Sequence, residues 1–245
     1  MDIMTREVEY FDGKQRCVGY LAWDNSVESA RPGVIISHAW GGRDSFAGQK
    51  AVQMAGLGYV GFAIDVYGDA AQPETVDEKM AMMGPLKEDR AKLLKRLKAG
   101  LKAAKELDEI DGDAMAMMGF CFGGLCTLDM ARSGEDLKAA ISFHGLLDAP
   151  EGKAKKIKAK VLVCHGWDDP MAPPDHVATL GEELTKAGCD WQLHAYGKTT
   201  HAFTVPGASN AEMGLQYNAD SDRRSWAAAT DLLSEVFAHH GVDVA

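Results

Sequence analysis

A cysteine lies in a glycine-rich turn where its thiol could act as a nucleophile. Residues 119–124 read GFCFGG, so Cys121 stands in a G-x-C-x-G pattern directly after the apolar run at 114–118. In a strand-to-helix turn such glycines permit a sharp bend and a close approach of strand and helix. The N–H groups that open the helix then favour the thiolate. We expect Cys121 to be the nucleophile. The alternative is a buried structural cysteine, which is how we interpret Cys126 in the same helix.

A carboxylate and a histidine follow two later apolar runs. Asp168 and Asp169 come after the run at 161–164, and His201 lies in the loop after the run at 191–196. A carboxylate can orient a histidine that activates a nucleophile, and either aspartate fits that role. The alternative for the aspartates is a turn that caps a helix. Nucleophile, acid and base follow each other in the chain order of α/β-hydrolases, each at a predicted strand end.

A further glycine-containing turn, SHAWGG at 37–42, ends the apolar run at 34–37. In α/β-hydrolases this turn supplies one backbone N–H of the oxyanion hole, and the residue after the nucleophile supplies the other. These donors are predicted to be Trp40 and Phe122. We expect His38, Trp167 and Phe203 to line the substrate pocket, the alternative for these side chains being ordinary packing.

Short apolar runs alternate with helical patterns along the chain, which predicts βαβ units. The pattern predicts strands at 7–11, 17–23, 34–37, 59–66, 114–119, 139–143, 161–165 and 191–196. It predicts helices at 46–57, 86–107, 123–132, 174–187 and 222–239, with partly helical structure at 72–84. The fold class is therefore α/β, a mostly parallel sheet of about seven or eight strands with helices on both faces. Reactive groups of such sheets lie at the carboxyl ends of the strands.

The lysines of the segment 86–107 lie mostly off its apolar stripe, and we interpret them as a solvated helix face. Its leucines recur at spacings of three and four residues, as expected of a helix that packs on a core.

Composition limits the classes of function. The chain has 245 residues, 46% of them hydrophobic, and a formal net charge of -10, which fits one globular domain spanning 1–245. The acidic balance argues against nucleic acid as a partner, and no apolar run is long enough for a membrane span or a signal peptide.

The five cysteines include no C-x-x-C pair, so we expect free thiols in a reducing cytoplasm.

Histidine spacing gives no sign of a metal site. No H-x-x-x-H or H-x-H ligand spacing occurs, so we predict neither a metal nor a cofactor. The histidines at 176, 194, 239 and 240 are interpreted as surface or helix residues. The expected partner is a small-molecule ester or lactone, and the expected state is a monomer or a small homo-oligomer.

The chain resembles the dienelactone hydrolase family of α/β-hydrolases. The matching features are GFCFGG around Cys121, the strand from Gly58-Tyr59 to Tyr67-Gly68, the D-x-x-x-P of residues 169–173, and HAF at 201–203. The resemblance implies an α/β-hydrolase fold with a triad of Cys121, Asp169 and His201. The proline four residues after the acid favours Asp169 over Asp168.

Two departures from the family concern the thiol and the substrate. Family members carry a glutamate in the oxyanion turn, where this chain has Ala39 or, in another register, His38. They also bind a substrate carboxylate with two arginines. The position that matches the first arginine is Gly68 or Asp69 in this chain, and the position that matches the second is Val205. Because none of these residues is basic, a carboxylate-bearing dienelactone is not the expected substrate, and we expect an aromatic, uncharged pocket.

The expected reaction is acyl transfer through an acyl-enzyme on Cys121. Because a thiolate leaves a tetrahedral intermediate more readily than an alkoxide does, we expect a substrate with a good leaving group: an enol lactone, an aryl ester or a thioester. The alternatives are a carboxylesterase or thioesterase of another pathway, a non-catalytic redox sensor that uses Cys121, and a scaffold that has lost its chemistry.

Overall fold

The computed structural model describes residues 1–152 and 156–239. Ten strands are described: β1 (Ile3–Asp12), β2 (Gln15–Asp24), β3 (Arg31–Ser37), β4 (Val60–Ile64), β5 (Ile110–Phe120), β6 (Ala139–Phe143), β7 (Lys160–Gly166), β8 (Trp191–Tyr196), β9 (Ser209–Asn210) and β10 (Leu215–Gln216). The described helices are α1 (Ser45–Gly56), α2 (Val76–Glu88), α3 (Arg90–Lys105), α4 (Phe122–Arg132), α5 (Pro174–Lys186) and α6 (Ala219–Phe237).

Eight strands form one sheet in the order β1-β2-β4-β3-β5-β6-β7-β8, and β9 and β10 form a separate hairpin. β1 pairs antiparallel with β2, and β2 antiparallel with β4. From β4 to β8 all neighbours are parallel. The predicted fold class is confirmed: this is an α/β-hydrolase fold with a mostly parallel sheet.

Helices cover both faces of the sheet because the central strands are apolar on both sides. Ile35 and Met117 contribute to one core cluster together with buried residues of α3, α4 and α5. Ile36 and Met118 contribute to a second cluster together with α1 and α6. Neighbouring residues of one strand thus pack against helices on opposite faces of the sheet. The carboxyl ends of these buried strands carry the candidate site.

The segment predicted as one helix over 86–107 forms two helices, so that prediction is wrong. Leu86 lies in α2, and Asp89 ends that helix and caps α3 through its side chain, which accepts a hydrogen bond from the backbone N–H of Lys92. An aspartate at an N-cap accepts a hydrogen bond from an N–H of the first helical turn, which has no partner within the helix, so it marks the start of a new helix. The periodicity continues across the break, because the buried leucines 93, 97 and 101 of α3 repeat the same spacing.

Of the remaining predicted elements, the strands at 139–143 and 191–196 have the predicted bounds, and the others occur with shifted ends. β1 and β2 run further than 7–11 and 17–23 because they pair residue by residue from Ile3–Asp24 to Asp12–Gln15. β4 is shorter than the predicted 59–66, and the closing helix ends at Phe237, before His239. His240 lies outside the described residues. None of the described helices combines the length and the apolar character of a membrane span.

Candidate active site

Cys121 lies on a sharp turn between β5 and α4, at the carboxyl end of the central strand. Its φ is +56°, a left-handed conformation that a residue with a side chain rarely adopts. The flanking glycines make the turn sterically feasible. A Cβ on Gly119 would lie 1.9 Å from the Gly123 carbonyl oxygen, and one on Gly123 would lie 2.1 Å from the Ser37 carbonyl oxygen. The glycines are needed because strand, helix and oxyanion turn touch here.

His201 and Asp169 form a buried hydrogen-bonded pair beside this turn. Nδ1 of His201 lies 2.7 Å from Oδ2 of Asp169, and both residues are almost fully buried. The other oxygen of Asp169 accepts a hydrogen bond from the Met171 N–H at 2.8 Å, which fixes the carboxylate. Asp168 is exposed. Of the two adjacent aspartates, the structure brings only Asp169 to His201.

The electrostatics place the proton of the Cys121–His201 pair on the histidine. Burial alone would raise the pKa of the Cys121 thiol, but the positive charge of His201 and the backbone N–H groups of Phe122 and Trp40 hold it below its ordinary value. Burial would lower the pKa of His201, yet the Cys121 charge and the Asp169 hydrogen bond raise it to about 10. The His201 charge is the largest of the influences that lower the Cys121 pKa, and the hydrogen-bonding interaction between the two side chains is the next.

Two backbone N–H groups converge on the Cys121 sulfur. One belongs to Phe122, the first residue of α4, and the other to Trp40, in the turn after β3. That turn is held against the loop after β4, because Gly42 has a φ of +84° and a Cβ there would meet the Ala71 carbonyl oxygen at 2.1 Å. Donors that act on a thiolate also lie where an oxyanion would form on a carbonyl attacked by that sulfur. The two predicted oxyanion donors thus lie together at the nucleophile.

Tyr67, which was not among the predicted site residues, contacts both oxyanion residues. Its hydroxyl donates to the Trp40 carbonyl oxygen at 3.0 Å, and its ring stacks on Phe122 with centroids 6.1 Å apart. Burial raises the pKa of Tyr67 far above its ordinary value, so the hydroxyl stays a donor. Its position just after β4, at the same sheet edge as the nucleophile, is the sequence signal that could have identified it.

His144 is a second residue that sequence reasoning missed. It follows β6 directly, has a φ of +37°, and is fully buried. Its ring lies edge-on to the His201 ring, with centroids 5.1 Å apart. No spacing pattern marks this histidine, but its place at the end of a parallel strand next to β5 does.

The predicted pocket residues occupy different environments. His38 is buried: Nε2 accepts from the Val66 N–H at 3.1 Å, so Nδ1 carries the proton and donates to the Ala39 carbonyl oxygen at 2.6 Å. Phe203 is also fully buried and packs against His144. Both side chains support the site from within the protein, whereas Trp167 is 45% exposed and Trp40 is partly exposed.

A lysine lies beside Trp40, one of the two predicted oxyanion donors. Nζ of Lys79 lies 5.4 Å from the centre of the Trp40 ring, within the range of a cation–π contact. Lys79 belongs to α2, the helix that follows the loop packed against the oxyanion turn. A positive charge therefore lies beside the aromatic ring of Trp40.

The other cysteines are distinct from Cys121. All five are free, and Cys126 is fully buried in the core, as predicted. Burial raises the pKa of Cys17 to about 11 and that of Cys164 to about 12. Among the described cysteines with a shifted pKa, Cys121 is the one whose pKa is lowered.

Comparison with known proteins gives matches over most of the chain. Residues 18–237 match the model of the dienelactone hydrolase family. The crystal structure of a dienelactone hydrolase-like promiscuous phosphotriesterase from metagenomic libraries superposes with a TM-score of 0.92 at 36% identity, covering 96% of this chain and 99% of that one. A putative carboxymethylenebutenolidase of Aquifex aeolicus is 27% identical over 205 residues, 82% of this chain and 87% of the relative.

An uncharacterized protein of Caenorhabditis elegans is 38% identical over 151 residues, covering 60% of this chain and 96% of that protein. The family match spans all the strand ends that carry the cysteine, the aspartate and the histidine. The chain is a hydrolase and belongs to the dienelactone hydrolase family.

Proposed function

We propose that the protein hydrolyses activated esters or lactones through an acyl-enzyme on Cys121. The observation that supports this most is the convergence of three groups on one sulfur: the His201 charge, the Phe122 N–H at the start of α4, and the Trp40 N–H. A structural thiol requires none of them. A nucleophile that attacks a carbonyl requires all of them.

In the acylation half of the reaction, the Cys121 thiolate attacks the carbonyl carbon and the C=O π pair moves to oxygen. The Phe122 and Trp40 N–H groups stabilise that oxyanion. When the carbonyl re-forms, the bond to the leaving oxygen (the leaving sulfur in a thioester) breaks, and the His201 imidazolium gives its Nε2 proton to the departing group. The products are a thioester on Cys121, a neutral His201 and the released alcohol, phenol, enol or thiol.

In the deacylation half, neutral His201 accepts a proton from water as the water oxygen attacks the thioester carbonyl. The second oxyanion forms at the same N–H groups, and its collapse expels the Cys121 thiolate and leaves a carboxylic acid. Asp169 stabilises each imidazolium through its 2.7 Å hydrogen bond. The resting thiolate–imidazolium pair is thereby restored.

The thiolate also selects the substrate. In the first tetrahedral intermediate the sulfur and the substrate's own leaving group compete to depart, and a thiolate departs more readily than an alkoxide. We therefore propose enol lactones, aryl esters and thioesters as substrates rather than simple alkyl esters. The aromatic surface of Trp40 suits an apolar acyl group, and Lys79, whose Nζ lies 5.4 Å from the centre of that ring, adds a positive charge beside it.

Steady-state kinetics with nitrophenyl acetate and ethyl acetate test this proposal. We expect the aryl ester to react faster by orders of magnitude, Cys121→Ala to abolish that reaction, and Cys126→Ala, a matched change in the same helix, to retain it. Equal rates for the two esters would contradict the proposed leaving-group requirement. An unchanged rate for Cys121→Ala would contradict the nucleophile.

A second candidate activity is the hydrolysis of aryl phosphotriesters. It is favoured by the relative at 36% identity, which is described as a promiscuous phosphotriesterase. Here the Cys121 thiolate would attack phosphorus and expel a phenolate while the two N–H groups bind the phosphoryl oxygen. Diethyl nitrophenyl phosphate should release nitrophenolate and add a diethylphosphoryl group to Cys121 before turnover. No release at substrate concentrations that saturate the ester reaction would exclude this activity.

The working compartment proposed is a reducing one such as the cytoplasm. It is supported by the five free cysteines and by a mechanism that needs Cys121 as a thiolate rather than in a disulfide. The proposed partner is a small molecule.

A further inference from the structure

His144 lies between the loop that carries the nucleophile and the loop that carries the base. Its Nδ1 lies 3.1 Å from the backbone nitrogen of Cys121, and its Nε2 lies 2.8 Å from Oγ1 of Thr204. Thr204 is three residues after His201 in the same loop. The imidazole thus joins the turn after β5 to the loop after β8, and its ring also packs edge-on against His201.

The hydrogen bonds fix the protonation state of His144. A backbone N–H can only donate, so the Nδ1 that faces the Cys121 N–H must carry a lone pair. The ring proton therefore lies on Nε2 and is donated to the Thr204 hydroxyl oxygen. In this tautomer the Cys121 N–H donates to Nδ1 of the ring, and the Nε2–H of the ring donates to the Thr204 hydroxyl oxygen.

The charged groups around His144 keep the ring neutral. Burial lowers its pKa well below the ordinary value, and the positive charges of His201 and Lys50 lower it further. Nζ of Lys50 lies 4.2 Å from the centre of the Trp226 ring and 5.6 Å from that of Phe120. On the helices of this side, Lys50 of α1 also interacts with the Asp222 carboxylate of α6, and the net effect of Lys50 on His144 is to lower its pKa.

The bond to Cys121 acts on a strained part of the backbone. Cys121 has a φ of +56°, and its N–H is shared between the Phe143 carbonyl oxygen at 3.0 Å and the His144 ring. A second acceptor on that N–H helps hold the peptide plane that orients the thiolate. A nucleophile displaced by about 1 Å can cost roughly 100-fold in rate.

We propose that His144 is a positioning residue: its neutral Nε2–H tautomer ties the backbone of Cys121 to the His201 loop and so sets the approach of thiolate and imidazolium. This inference rests on the proposed function, because it assigns His144 a role in the Cys121 reaction. It does not require that a particular ester be the substrate.

Two substitutions separate the acceptor from the shape of the ring. His144→Phe keeps an aromatic ring against His201 but loses both hydrogen bonds. In His144→Asn, Oδ1 occupies the place of Nδ1 and can accept from the Cys121 N–H, and asparagine tolerates a positive φ. Thr204→Val removes the acceptor that holds the tautomer. His194→Phe, the same change on β8 and away from the site, is the matched control.

The readouts are the pH midpoint of Cys121 alkylation by iodoacetamide and the single-turnover rate of acylation by nitrophenyl acetate. In His144→Phe we expect the midpoint to rise and acylation to slow by roughly 10-fold to 100-fold. His144→Asn should bring both the alkylation midpoint and the acylation rate most of the way back to the wild-type values. Thr204→Val should raise the midpoint by less than His144→Phe does. His194→Phe should match the wild type in both readouts.

A folded His144→Phe protein with a wild-type midpoint and acylation rate would overturn the proposal, and so would a His144→Asn protein no better than His144→Phe. If His144→Phe does not fold, Thr204→Val and His144→Asn provide the test. We then expect the alkylation midpoint of each to shift upward, but by less than in His201→Asn. A wild-type alkylation midpoint in Thr204→Val would overturn the proposal. The proposed function is judged separately, since its failure would show as an absence of acylation in the wild-type protein while the alkylation midpoints still report on His144.

Discussion

At the scale of single residues, the chemistry depends on where one proton resides. The pKa of Cys121 lies below its ordinary value and that of His201 lies above it, each because of the other's charge. The two charges therefore favour the ion-pair form, in which the proton lies on His201. The family's glutamate in the oxyanion turn has no counterpart at His38 or Ala39, so His201 and two backbone N–H groups supply the stabilisation of the thiolate.

The first prediction concerns the pH dependence of Cys121. Because the thiolate is the reactive form and its pKa is lowered, alkylation should stay fast as pH falls below about 8.5, the ordinary pKa of a thiol. Reactivity should be lost only when acid protonates the thiolate of the pair. In His201→Asn the positive charge is gone and burial raises the thiol pKa, so the midpoint should move upward. Peptide mass mapping after iodoacetamide treatment at a series of pH values measures this.

The buried Cys17 and Cys164, whose pKa values are raised to about 11 and about 12, serve as internal controls that should not react. A Cys121 midpoint at the ordinary thiol value, unchanged by His201→Asn, would argue against the ion pair.

The second prediction separates the two adjacent aspartates. Asp169→Asn replaces the carboxylate that bonds His201 and should lower kcat by about 10²-fold to 10⁴-fold, since an amide no longer stabilises the imidazolium. Asp168→Asn changes an exposed side chain and should leave kcat unchanged. Hydrolysis of nitrophenyl acetate by the two variants, each with thermal unfolding as a check of folding, gives the comparison. A larger loss in Asp168→Asn would reverse the assignment.

At the scale of elements, the site is made by the carboxyl ends of neighbouring strands. β5 leads to the turn that carries Cys121, β6 is followed directly by His144, β7 leads to Asp169, and β3 leads to the turn that carries Trp40. Tight contacts between backbones hold these ends together, with Gly123 against the Ser37 carbonyl and Gly124 against Gly145. Each glycine is a position where the geometry of the site depends on the absence of a side chain.

The third prediction tests that dependence. In Gly123→Ala the new Cβ would lie 2.1 Å from the Ser37 carbonyl oxygen and 2.7 Å from that of His38, so strand and helix must separate. We expect lower thermal stability and a loss of esterase activity larger than the loss of folded protein. Gly84→Ala in α2 is the matched control: nothing lies within 4 Å of its Cβ, and alanine favours a helix over glycine by about 0.5–1 kcal/mol. If Gly123→Ala and Gly84→Ala had the same thermal stability and the same esterase activity, close packing at the turn would be contradicted.

The residues that the structure brings together around Cys121 could be selected from the sequence, because the signals that mark them are local. The glycines around Cys121, the chain order of cysteine, aspartate and histidine, and the alternation of strands and helices all follow from residues near each other in sequence. Tyr67 and His144 were missed because their roles arise from contacts between different strands, to Trp40 and to Thr204. The break at Asp89 was missed because the hydrophobic period runs through it and only the cap marks it.

At the scale of the whole molecule, ion pairs join the helices that cover one face of the sheet. Asp129 of α4 accepts two hydrogen bonds from Arg90 of α3, each at 2.6 Å, and a third from Arg132 at 3.2 Å. Arg132 also bonds both oxygens of Glu183 in α5 at 2.8 Å. The network thus connects three helices whose shared support is the sheet. It lies apart from the active site and serves the fold.

The fourth prediction follows from the burial of this network. Asp129→Ala would leave the buried Arg132 guanidinium with one carboxylate instead of two, and breaking such a buried pair costs about 3–5 kcal/mol. Chemical denaturation should show that loss in the free energy of unfolding, with kcat of the folded protein unchanged. Glu182→Ala, which removes an exposed partner of Lys186, should change stability little. An equally small effect of Asp129→Ala would mean that the network does not support the fold.

The most direct test of the mechanism is the covalent state of the enzyme during turnover. Wild-type protein mixed with excess nitrophenyl acetate and quenched in acid within the first turnover should gain the mass of one acetyl group, and peptide mapping should place that group on Cys121. Cys126→Ala should give the same adduct, Cys121→Ala should give none, and Asp169→Asn should form it slowly. Hydrolysis at the full wild-type rate with no adduct on Cys121 at any quench time, or with the acetyl group on another residue, would contradict the mechanism.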